Sequence, residues 1–398
     1  MKTFLVRLLL ACAVFLFVSC KKDSTGGSAG DELLVSATST ASYSKTVMQT
    51  LAAAGGYSVF NNIIKYDVDF YRIVYKTNYK NRQMQASATL AVPKNTGTTP
   101  SIISAQHGTI FKDTEAPSNF PATPSGFEIC AAAGYITVIP DYIGYGVSKD
   151  TVHPYYIQQY SGTVVVDAIN AAKVFLNRQK VAYSNRLFLL GYSEGGYVTM
   201  AAQKEIETHP EHNLTLTAAA EGAGGYDLTG MLSAITTTPS YGSPSYLALI
   251  LQSYNTSYSW NRPWTDFFQA VYAAKMPALL DGSKDESQIN SGLSTSPTAL
   301  LNPVFYSNLL SASGETVLKQ ALVANSFTTG WYPKSPTRMY HGTADITVYY
   351  QTSVTTYNQF RAAGATNVTF TSIPNGTHGT SIQPMMLDVL PWLQGLDK

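Results

Sequence analysis

The sequence predicts an α/β fold with a mostly parallel β-sheet and helices on both of its faces. From about residue 100 onward, short apolar segments of strand length alternate with longer segments of helical pattern. Two segments of alternating polar and apolar residues precede them and predict an antiparallel pair at one edge of the sheet. Residues 225–335 interrupt the alternation without any strand pattern, which predicts a helical cap inserted between two strands.

The predicted elements can be placed in chain order. The antiparallel pair is predicted in DVDFYRIVYKTNY and QMQASATLAVP. The parallel strands are predicted in SIISAQ, YITVIPDY, RLFLLGY, LTLTAAAEG, TRMYHG and NVTFTSIP, with helices such as SGTVVVDAINAAKVFLNR and SVTTYNQFRAAG between them. We therefore expect residues 41–398 to form one domain with the cap as its insertion.

Residues 1–20 resemble a bacterial lipoprotein signal peptide. Two basic residues precede an apolar run from Leu8 to Val18, which is shorter than the ~20 residues that a membrane span needs. A small residue and then Cys20 follow, so we expect Cys20 to be lipidated and to anchor an exported protein at the periplasmic or cell-surface side of a membrane. An ordinary signal peptide is the alternative. Residues 21–40, rich in Ser, Thr and Gly, predict a flexible tether.

The amino-acid composition argues against a nucleic-acid partner. Charged residues make up 13% of the chain and the formal net charge is +1, whereas a nucleic-acid-binding protein would carry a basic face. No nucleic-acid partner is therefore expected. Removal of residues 1–19 and lipidation of Cys20 would leave Cys130 without a partner for an intrachain disulfide, and its apolar surroundings predict an inert buried thiol. The 27 tyrosines suit apolar, aromatic or sugar ligands.

The segment LGYSEGG places Gly191, Ser193 and Gly195 between a predicted strand and a predicted helix. This is the structural context in which the G-x-S-x-G pattern marks a nucleophilic serine. A strand that turns directly into a helix strains the backbone of the serine, and the flanking glycines let neighbouring chains approach closely. We therefore predict Ser193 as a nucleophile.

A serine hydroxyl needs a general base, and the base needs an acid that orients it. In this strand–turn–helix architecture the chain order is serine, acid, histidine. The chain has six histidines, and the one that follows a candidate acid is His378, in the loop after the last predicted strand. His378 is therefore the predicted base. Asp345, in HGTAD after a predicted strand, is the predicted acid, and Glu221, after LTLTAAA, is the alternative.

Catalysis by a serine also requires backbone N–H groups that bind a developing oxyanion. One is expected from Glu194, the residue after the nucleophile, and one from the loop SAQHGTIF, where we select Thr109. The Glu194 side chain is expected to turn away from the oxyanion and to stabilise the helix N-terminus.

The segment from about residue 65 to residue 398 resembles the α/β-hydrolase superfamily. In this resemblance Ser193, Asp345 and His378 occupy the three positions of the catalytic triad. The motifs QHGT, IPDYIGYG, HPY and GYSEGG, together with the large insertion, resemble the secretory lipase (lipase A-like) family of esterases. The resemblance implies a serine esterase or lipase that forms an acyl-enzyme on a small-molecule, lipid or glycan ester, and that needs no metal or organic cofactor.

Two other functions stay open. One is a serine exopeptidase of the same fold, and the other is a catalytically silent surface lipoprotein that binds glycans, against which the complete triad argues. Aromatic residues are abundant in residues 241–272. Trp260 and Trp264 in this part of the cap, and Tyr142 in IPDYIGYG, are the predicted substrate contacts.

Overall fold

The computed structural model describes residues 33–398, so the predicted signal peptide and Cys20 lie outside the described residues. Within these residues, nine strands form one sheet: β1 (Leu34–Tyr43), β2 (Val68–Tyr79), β3 (Arg82–Pro93), β4 (Ile102–Gln106), β5 (Ile136–Pro140), β6 (Leu187–Tyr192), β7 (Ala218–Gly222), β8 (Thr337–Gly342) and β9 (Val368–Ile373). Their order is β1-β2-β3-β5-β4-β6-β7-β8-β9. The neighbours from β5 to β9 in this order are parallel, and β1, β2 and β3 are antiparallel at one edge. The predicted fold class, the β2–β3 pair and the six parallel strands are confirmed.

The predicted flexible tether over residues 21–40 is wrong from residue 34 onward, because β1 begins there. This strand pairs antiparallel with β2, from Leu34 opposite Tyr75 to Tyr43 opposite Val68. Most of its side chains are exposed at the sheet edge, so its sequence LVSATSTASY carries no alternation of polar and apolar residues. The backbone ladder to β2, rather than a buried face, holds the strand in place.

The described residues contain fifteen α-helices. Before β7 these are α1 (Lys45–Ala54), α2 (Glu128–Ala132), α3 (Gln158–Arg178) and α4 (Glu194–Thr208). Between β7 and β8 they are α5 (Leu228–Thr237), α6 (Pro244–Ser257), α7 (Trp264–Phe267), α8 (Ala270–Ala273), α9 (Met276–Leu279), α10 (Glu286–Ser291), α11 (Pro297–Leu300), α12 (Pro303–Leu310) and α13 (Thr316–Ala324). After β8 come α14 (Tyr350–Ala362) and α15 (Ile382–Leu396). No helix in the described part of the chain is both long enough and apolar enough to cross a membrane.

Two apolar layers cover the sheet, one on each face. Helices α3, α4 and α14 pack in one layer, and α1, α2 and α15 pack in the other. Strand β6 contributes to both, since Leu187 and Leu189 belong to the first layer and Phe188 and Leu190 to the second. Because successive strand side chains point to opposite faces, a strand buried on both sides needs an uninterrupted apolar sequence, as β6 has.

Residues 223–336, which join β7 to β8, are called the cap below. They contain the helices α5 to α13 and one isolated bridge between Phe268 and Leu301. The cap has an apolar centre of its own, where the rings of Phe267 and Phe305 meet edge to face at 5.3 Å. The guanidinium carbon of Arg262 lies 4.5 Å from the centre of the Phe267 ring. The first layer of the core continues into the cap, so the cap packs on that layer.

Glu221 lies in β7, an inner strand of the sheet, and is fully buried. Neither of its carboxyl oxygens has a hydrogen-bond partner among the described residues. Burial, with a smaller contribution from the charge of Glu207, raises the pKa of Glu221 well above its ordinary value. The folded protein therefore favours the neutral, protonated carboxyl.

This raised pKa predicts a dependence of stability on pH. Above the ordinary carboxyl pKa of 4.5 the unfolded chain releases a proton that the folded protein retains, so the contribution of Glu221 to stability falls as pH rises toward its folded pKa. The wild type should lose up to ~1.4 kcal/mol per pH unit relative to Glu221→Gln, which has no proton to lose. The Tm of Glu221→Gln minus that of the wild type should therefore increase as pH rises above about 5 in scanning fluorimetry. A difference that stays constant over this range would contradict the assignment.

Candidate active site

Ser193 stands at the junction of β6 and α4 with φ 62° and ψ −128°, a conformation that residues other than glycine rarely adopt. The flanking glycines are required by crowding. A Cβ atom on Gly191 would lie 2.1 Å from the Gly195 carbonyl oxygen, and one on Gly195 would lie 2.0 Å from the Gln106 carbonyl oxygen. The predicted strained turn is confirmed, and it presents the Ser193 hydroxyl at the carboxyl edge of the parallel strands.

The structure brings the three predicted triad residues into one hydrogen-bonded chain. Ser193 Oγ lies 2.8 Å from His378 Nε2, and His378 Nδ1 lies 2.6 Å from Asp345 Oδ2. The side facing the carboxylate must carry the imidazole proton, which leaves Nε2 to accept from the serine hydroxyl. His378 follows β9, and its carbonyl oxygen accepts a hydrogen bond of 2.6 Å from the Tyr192 hydroxyl.

Asp345 is fixed through both of its carboxylate oxygens. Oδ1 accepts from the backbone N–H groups of Thr347 at 2.9 Å and Val348 at 3.0 Å. Oδ2 faces His378 and also His341 Nε2 at 3.2 Å. Burial by itself would raise the pKa of Asp345, but the hydrogen bonds from His341 and His378 outweigh it and lower the pKa to about 2. Asp345 is therefore ionised at neutral pH.

His341 is a supporting residue that sequence reasoning missed. Its Nε2 faces two acceptors, Asp345 Oδ2 and the Val348 carbonyl oxygen at 2.8 Å, so we place the proton on Nε2. Nδ1 then accepts from the Ser353 hydroxyl at 2.6 Å. Chain order excluded His341 as the base, but its spacing of four residues from Asp345 in HGTAD was a signal for a partner of the acid. Glu221, the alternative acid, makes no comparable contact with any residue that the structure describes.

The two predicted oxyanion donors flank the nucleophile. A Cβ atom on Gly108 would lie 3.6 Å from Ser193 Cβ, so the loop after β4 passes beside the serine. Thr109 follows in that loop, with its hydroxyl 3.1 Å from the Tyr155 hydroxyl. Glu194 is the first residue of α4, where backbone N–H groups have no acceptor within the helix.

Tyr142, a predicted substrate contact, is buried behind this loop. Its hydroxyl donates to the His107 carbonyl oxygen at 2.9 Å, and its ring stacks on the His107 ring with centres 4.2 Å apart. The Tyr145 hydroxyl donates to the Ile110 carbonyl oxygen at 2.6 Å. These two bonds hold the loop on both sides of Thr109, so the structure gives Tyr142 a supporting position in place of the predicted contact with substrate.

The Glu194 side chain turns into the core, where it meets a histidine that sequence reasoning did not select. It is 1% exposed, and its Oε1 lies 2.7 Å from His153 Nε2. His153 Nδ1 lies 2.6 Å from the Ile143 carbonyl oxygen, which can only accept. Nδ1 must therefore carry one proton, and a second proton must lie between His153 Nε2 and Glu194 Oε1. A buried acid–histidine pair thus sits directly behind the first turn of α4.

An apolar cavity lies between the acid loop and the cap, with about 620 Å³ of space between atoms, including space open to solvent. Thr347 and Val348, the two N–H donors to Asp345, line one end of it. Tyr155, the partner of Thr109, lines it as well. Most of the remaining wall comes from aliphatic side chains of the cap: Leu228, Met231, Leu232, Ile235, Leu247, Ile250, Leu251, Leu318 and Leu322.

The predicted cap contacts Trp260 and Trp264 are not among the residues that line this cavity. Trp260 stacks on the Tyr258 ring with centres 5.5 Å apart, and the Trp264 ring lies 5.9 Å from that of Phe268. Both are partly buried against the core. Their contacts are those of packing residues within the cap.

An imidazole held between a hydroxyl and an ionised carboxylate can take the hydroxyl proton and return it to a leaving group. A backbone N–H group beside such a serine would bind a negative oxygen. The arrangement is therefore suited to acyl transfer through a serine ester.

Solved structures of other proteins have a fold similar to that of this chain. A putative hydrolase from Legionella pneumophila is 25% identical with a TM-score of 0.85, over 92% of this chain and 99% of that one. A ligand-bound form of the rice cell wall degrading esterase LipA from Xanthomonas oryzae is 23% identical with a TM-score of 0.78, over 92% and 97%. Candida antarctica lipase A in its closed state is 17% identical with a TM-score of 0.67, over 92% and 82%. The fold is that of the α/β-hydrolases.

The family comparison covers more than half of the chain. No curated protein matches the sequence. The model of the secretory lipase family matches residues 129–395, which include Ser193, Asp345 and His378. The chain belongs to the secretory lipase family and is a hydrolase of esters.

Proposed function

We propose that the protein is a serine carboxylic ester hydrolase in which Ser193 is the nucleophile, His378 the general base and Asp345 the orienting acid. The observation that carries the proposal is the continuous chain from Ser193 Oγ to His378 Nε2 at 2.8 Å and from His378 Nδ1 to Asp345 Oδ2 at 2.6 Å. These distances lie in the range that proton transfer in a hydrolytic triad requires.

The proposed reaction has two halves. Ser193 Oγ attacks the ester carbonyl carbon while its proton passes to His378 Nε2, and the N–H groups of Glu194 and Thr109 bind the oxyanion. The intermediate then breaks its bond to the alcohol oxygen, which takes the proton from His378. Water attacks the acyl-enzyme in the same way and releases the carboxylic acid together with the free serine. Asp345 stays ionised and stabilises the imidazolium in both halves, and no step uses a metal or an organic cofactor.

The cavity supports esters with an apolar acyl or alcohol group as substrates. Its wall is mostly aliphatic, and it includes Val348 of the acid loop and Tyr155, whose hydroxyl contacts that of Thr109, so an apolar chain could lie there while the ester carbonyl reaches Ser193. Each buried methylene would contribute ~0.8 kcal/mol to binding. The similar structure from Xanthomonas oryzae is named a cell wall degrading esterase, which keeps glycan-linked esters as a second substrate class.

The serine exopeptidase and the silent glycan-binding lipoprotein receive less support than the esterase. The secretory lipase family favours an ester over a peptide bond as the target, which weakens the proposal of a serine exopeptidase. A silent glycan-binding lipoprotein would have no use for a hydrogen-bonded serine, histidine and buried aspartate.

Membrane anchoring is a proposal that depends on the sequence around Cys20, which precedes the described residues. The family name indicates secretion, and lipidation of Cys20 would hold the exported enzyme at a membrane. The variant Cys20→Ser, expressed in a bacterial host, should therefore move the activity from the membrane fraction to the soluble fraction. Activity that still sediments with membranes would mean that another part of the protein holds it there.

The triad makes a prediction with a matched control. Ser193→Ala should lower kcat for p-nitrophenyl esters by up to ~10⁶-fold, and Asp345→Asn should lower it by up to ~10⁴-fold because the imidazole loses its orientation. Glu221→Gln, the equivalent change in the alternative acid, should leave kcat close to that of the wild type. A damaging Glu221→Gln beside an active Asp345→Asn would reverse the assignment of the acid.

The buried Glu194–His153 pair predicts a positioning role. Loss of the Glu194 side chain would free the first turn of α4, which carries one oxyanion donor. Glu194→Ala should therefore lower kcat by about 10²-fold, as loss of an oxyanion donor does, with little change in KM. Glu194→Gln should restore most of kcat, since an amide can still hydrogen-bond to His153 Nε2. If both variants lose thermal stability but keep the kcat of the wild type, the pair has only a structural role.

The cavity predicts a dependence on chain length. Leu232→Trp should fill part of the cavity and lower kcat/KM for p-nitrophenyl esters of long acyl chains by at least about tenfold, while sparing the acetate ester. Trp264→Ala, a change outside the cavity, is the control and should leave the chain-length profile unchanged. A profile altered by Trp264→Ala but not by Leu232→Trp would support the earlier prediction that the tryptophans bind the acyl group.

A further inference from the structure

The carboxyl end of α4 carries a cluster of one carboxylate and two imidazoles that the proposed reaction does not use. Glu205 and His209 are four residues apart and so lie on one side of the helix end. A 3₁₀-helix over Pro210–His212 then folds the chain back, which brings His212 to the same place. Glu205 Oε1 lies 2.8 Å from His212 Nε2, and Glu205 Oε2 lies 3.4 Å from His209 Nδ1. One ligand atom from each of the three residues lies within 4.8 Å of the others.

These separations are close to those between the ligand atoms of a tetrahedral metal ion. With ligand bonds of about 2.0–2.2 Å, two ligand atoms of a tetrahedral zinc ion lie about 3.3–3.6 Å apart. To bind such an ion, the ligand atoms of the three side chains would have to shift by a few tenths of an ångström to about one and a half ångströms. Side-chain rotation can produce shifts of this size. His209 is 47% exposed and gives an ion access, whereas Glu205 and His212 are 16% and 21% exposed and hold the inner side.

We propose that Glu205, His209 and His212 bind a divalent first-row transition ion, with Zn²⁺ as the preferred ion and water at the fourth position. Two imidazole nitrogens select zinc, copper or nickel over magnesium and calcium, which prefer oxygen ligands. Backbone support is present at His212, whose carbonyl oxygen accepts from Asn170 Nδ2 at 3.4 Å.

The other four histidines of the chain are already occupied by contacts within the protein. His107, His153 and His341 are buried, and both ring nitrogens of each lie next to protein acceptors or donors. His378 belongs to the triad. Since the chain has six histidines, His209 and His212 are the pair left for a metal at the surface.

An ion here would act on stability rather than on catalysis. It would cross-link the end of α4 to the turn that precedes β7. Ser193 lies at the opposite end of α4, about 18 Å away along a helix with 1.5 Å rise per residue. This structural role leaves unchanged the expectation that the reaction itself needs no metal.

The test uses the full-length secreted form without a histidine tag, treated with EDTA and dialysed. Titration calorimetry with ZnCl₂ should give one site, and saturating Zn²⁺ should raise the Tm with kcat unchanged. Glu205→Gln and His212→Gln should each weaken zinc binding by at least about tenfold. Glu205→Gln keeps a hydrogen-bond acceptor for His212, so its Tm without metal should stay near that of the wild type. Glu211→Gln, in the same turn but outside the cluster, is the matched control and should bind like the wild type.

A spectroscopic measurement separates this site from zinc at the triad. Co²⁺ in place of Zn²⁺ should give the visible absorption of a tetrahedral ion in the wild type and in Ser193→Ala, but not in His212→Gln. The proposal is overturned if zinc binds the wild type and the Glu205 and His212 variants equally, or if Zn²⁺ does not raise the Tm. It is also overturned if the single zinc site inhibits hydrolysis, because that would place the ion at His378.

Discussion

The crossing of α4 over the carboxyl ends of the central strands is the constraint on which the rest of the site depends. Gly195 packs against the Gln106 carbonyl oxygen so closely that a methyl group would overlap it. This approach forces Ser193 into its unfavourable backbone conformation and directs its hydroxyl away from the sheet. It also sets the loop after β4, with Gly108 and Thr109, beside the serine. One packing contact thus positions the nucleophile and both candidate oxyanion donors.

Two buried acids near the carboxyl edge of the sheet have opposite properties, and their surroundings explain why. Asp345 accepts hydrogen bonds from the imidazoles of His341 and His378, which lower its pKa to about 2 against the effect of burial. Glu221 has burial without any such bond, so its pKa is raised. The carboxyl group of Asp345 is therefore ionised, whereas that of Glu221 is neutral. Only the ionised carboxylate can stabilise an imidazolium.

The sequence determines the strands and the nucleophile turn because local patterns encode them. An uninterrupted apolar run marks a strand buried on both faces, as in β6, and the glycines around Ser193 mark a crowded turn. Strand β1 was missed because an edge strand with exposed side chains has no such pattern. His153, His341 and Tyr142 were missed or misplaced because their roles arise from contacts between segments distant in sequence, which only the folded chain brings together.

Direct labelling of the nucleophile tests the central claim most closely. An alkyl fluorophosphonate reacts covalently with an activated serine hydroxyl and releases fluoride, so it reports on the nucleophile without any choice of substrate. Mass spectrometry of the labelled and digested protein should find a single phosphonylated residue, Ser193, and activity should fall in proportion to the label. Labelling of another serine with equal loss of activity, or full inactivation with Ser193 unmodified, would contradict the account.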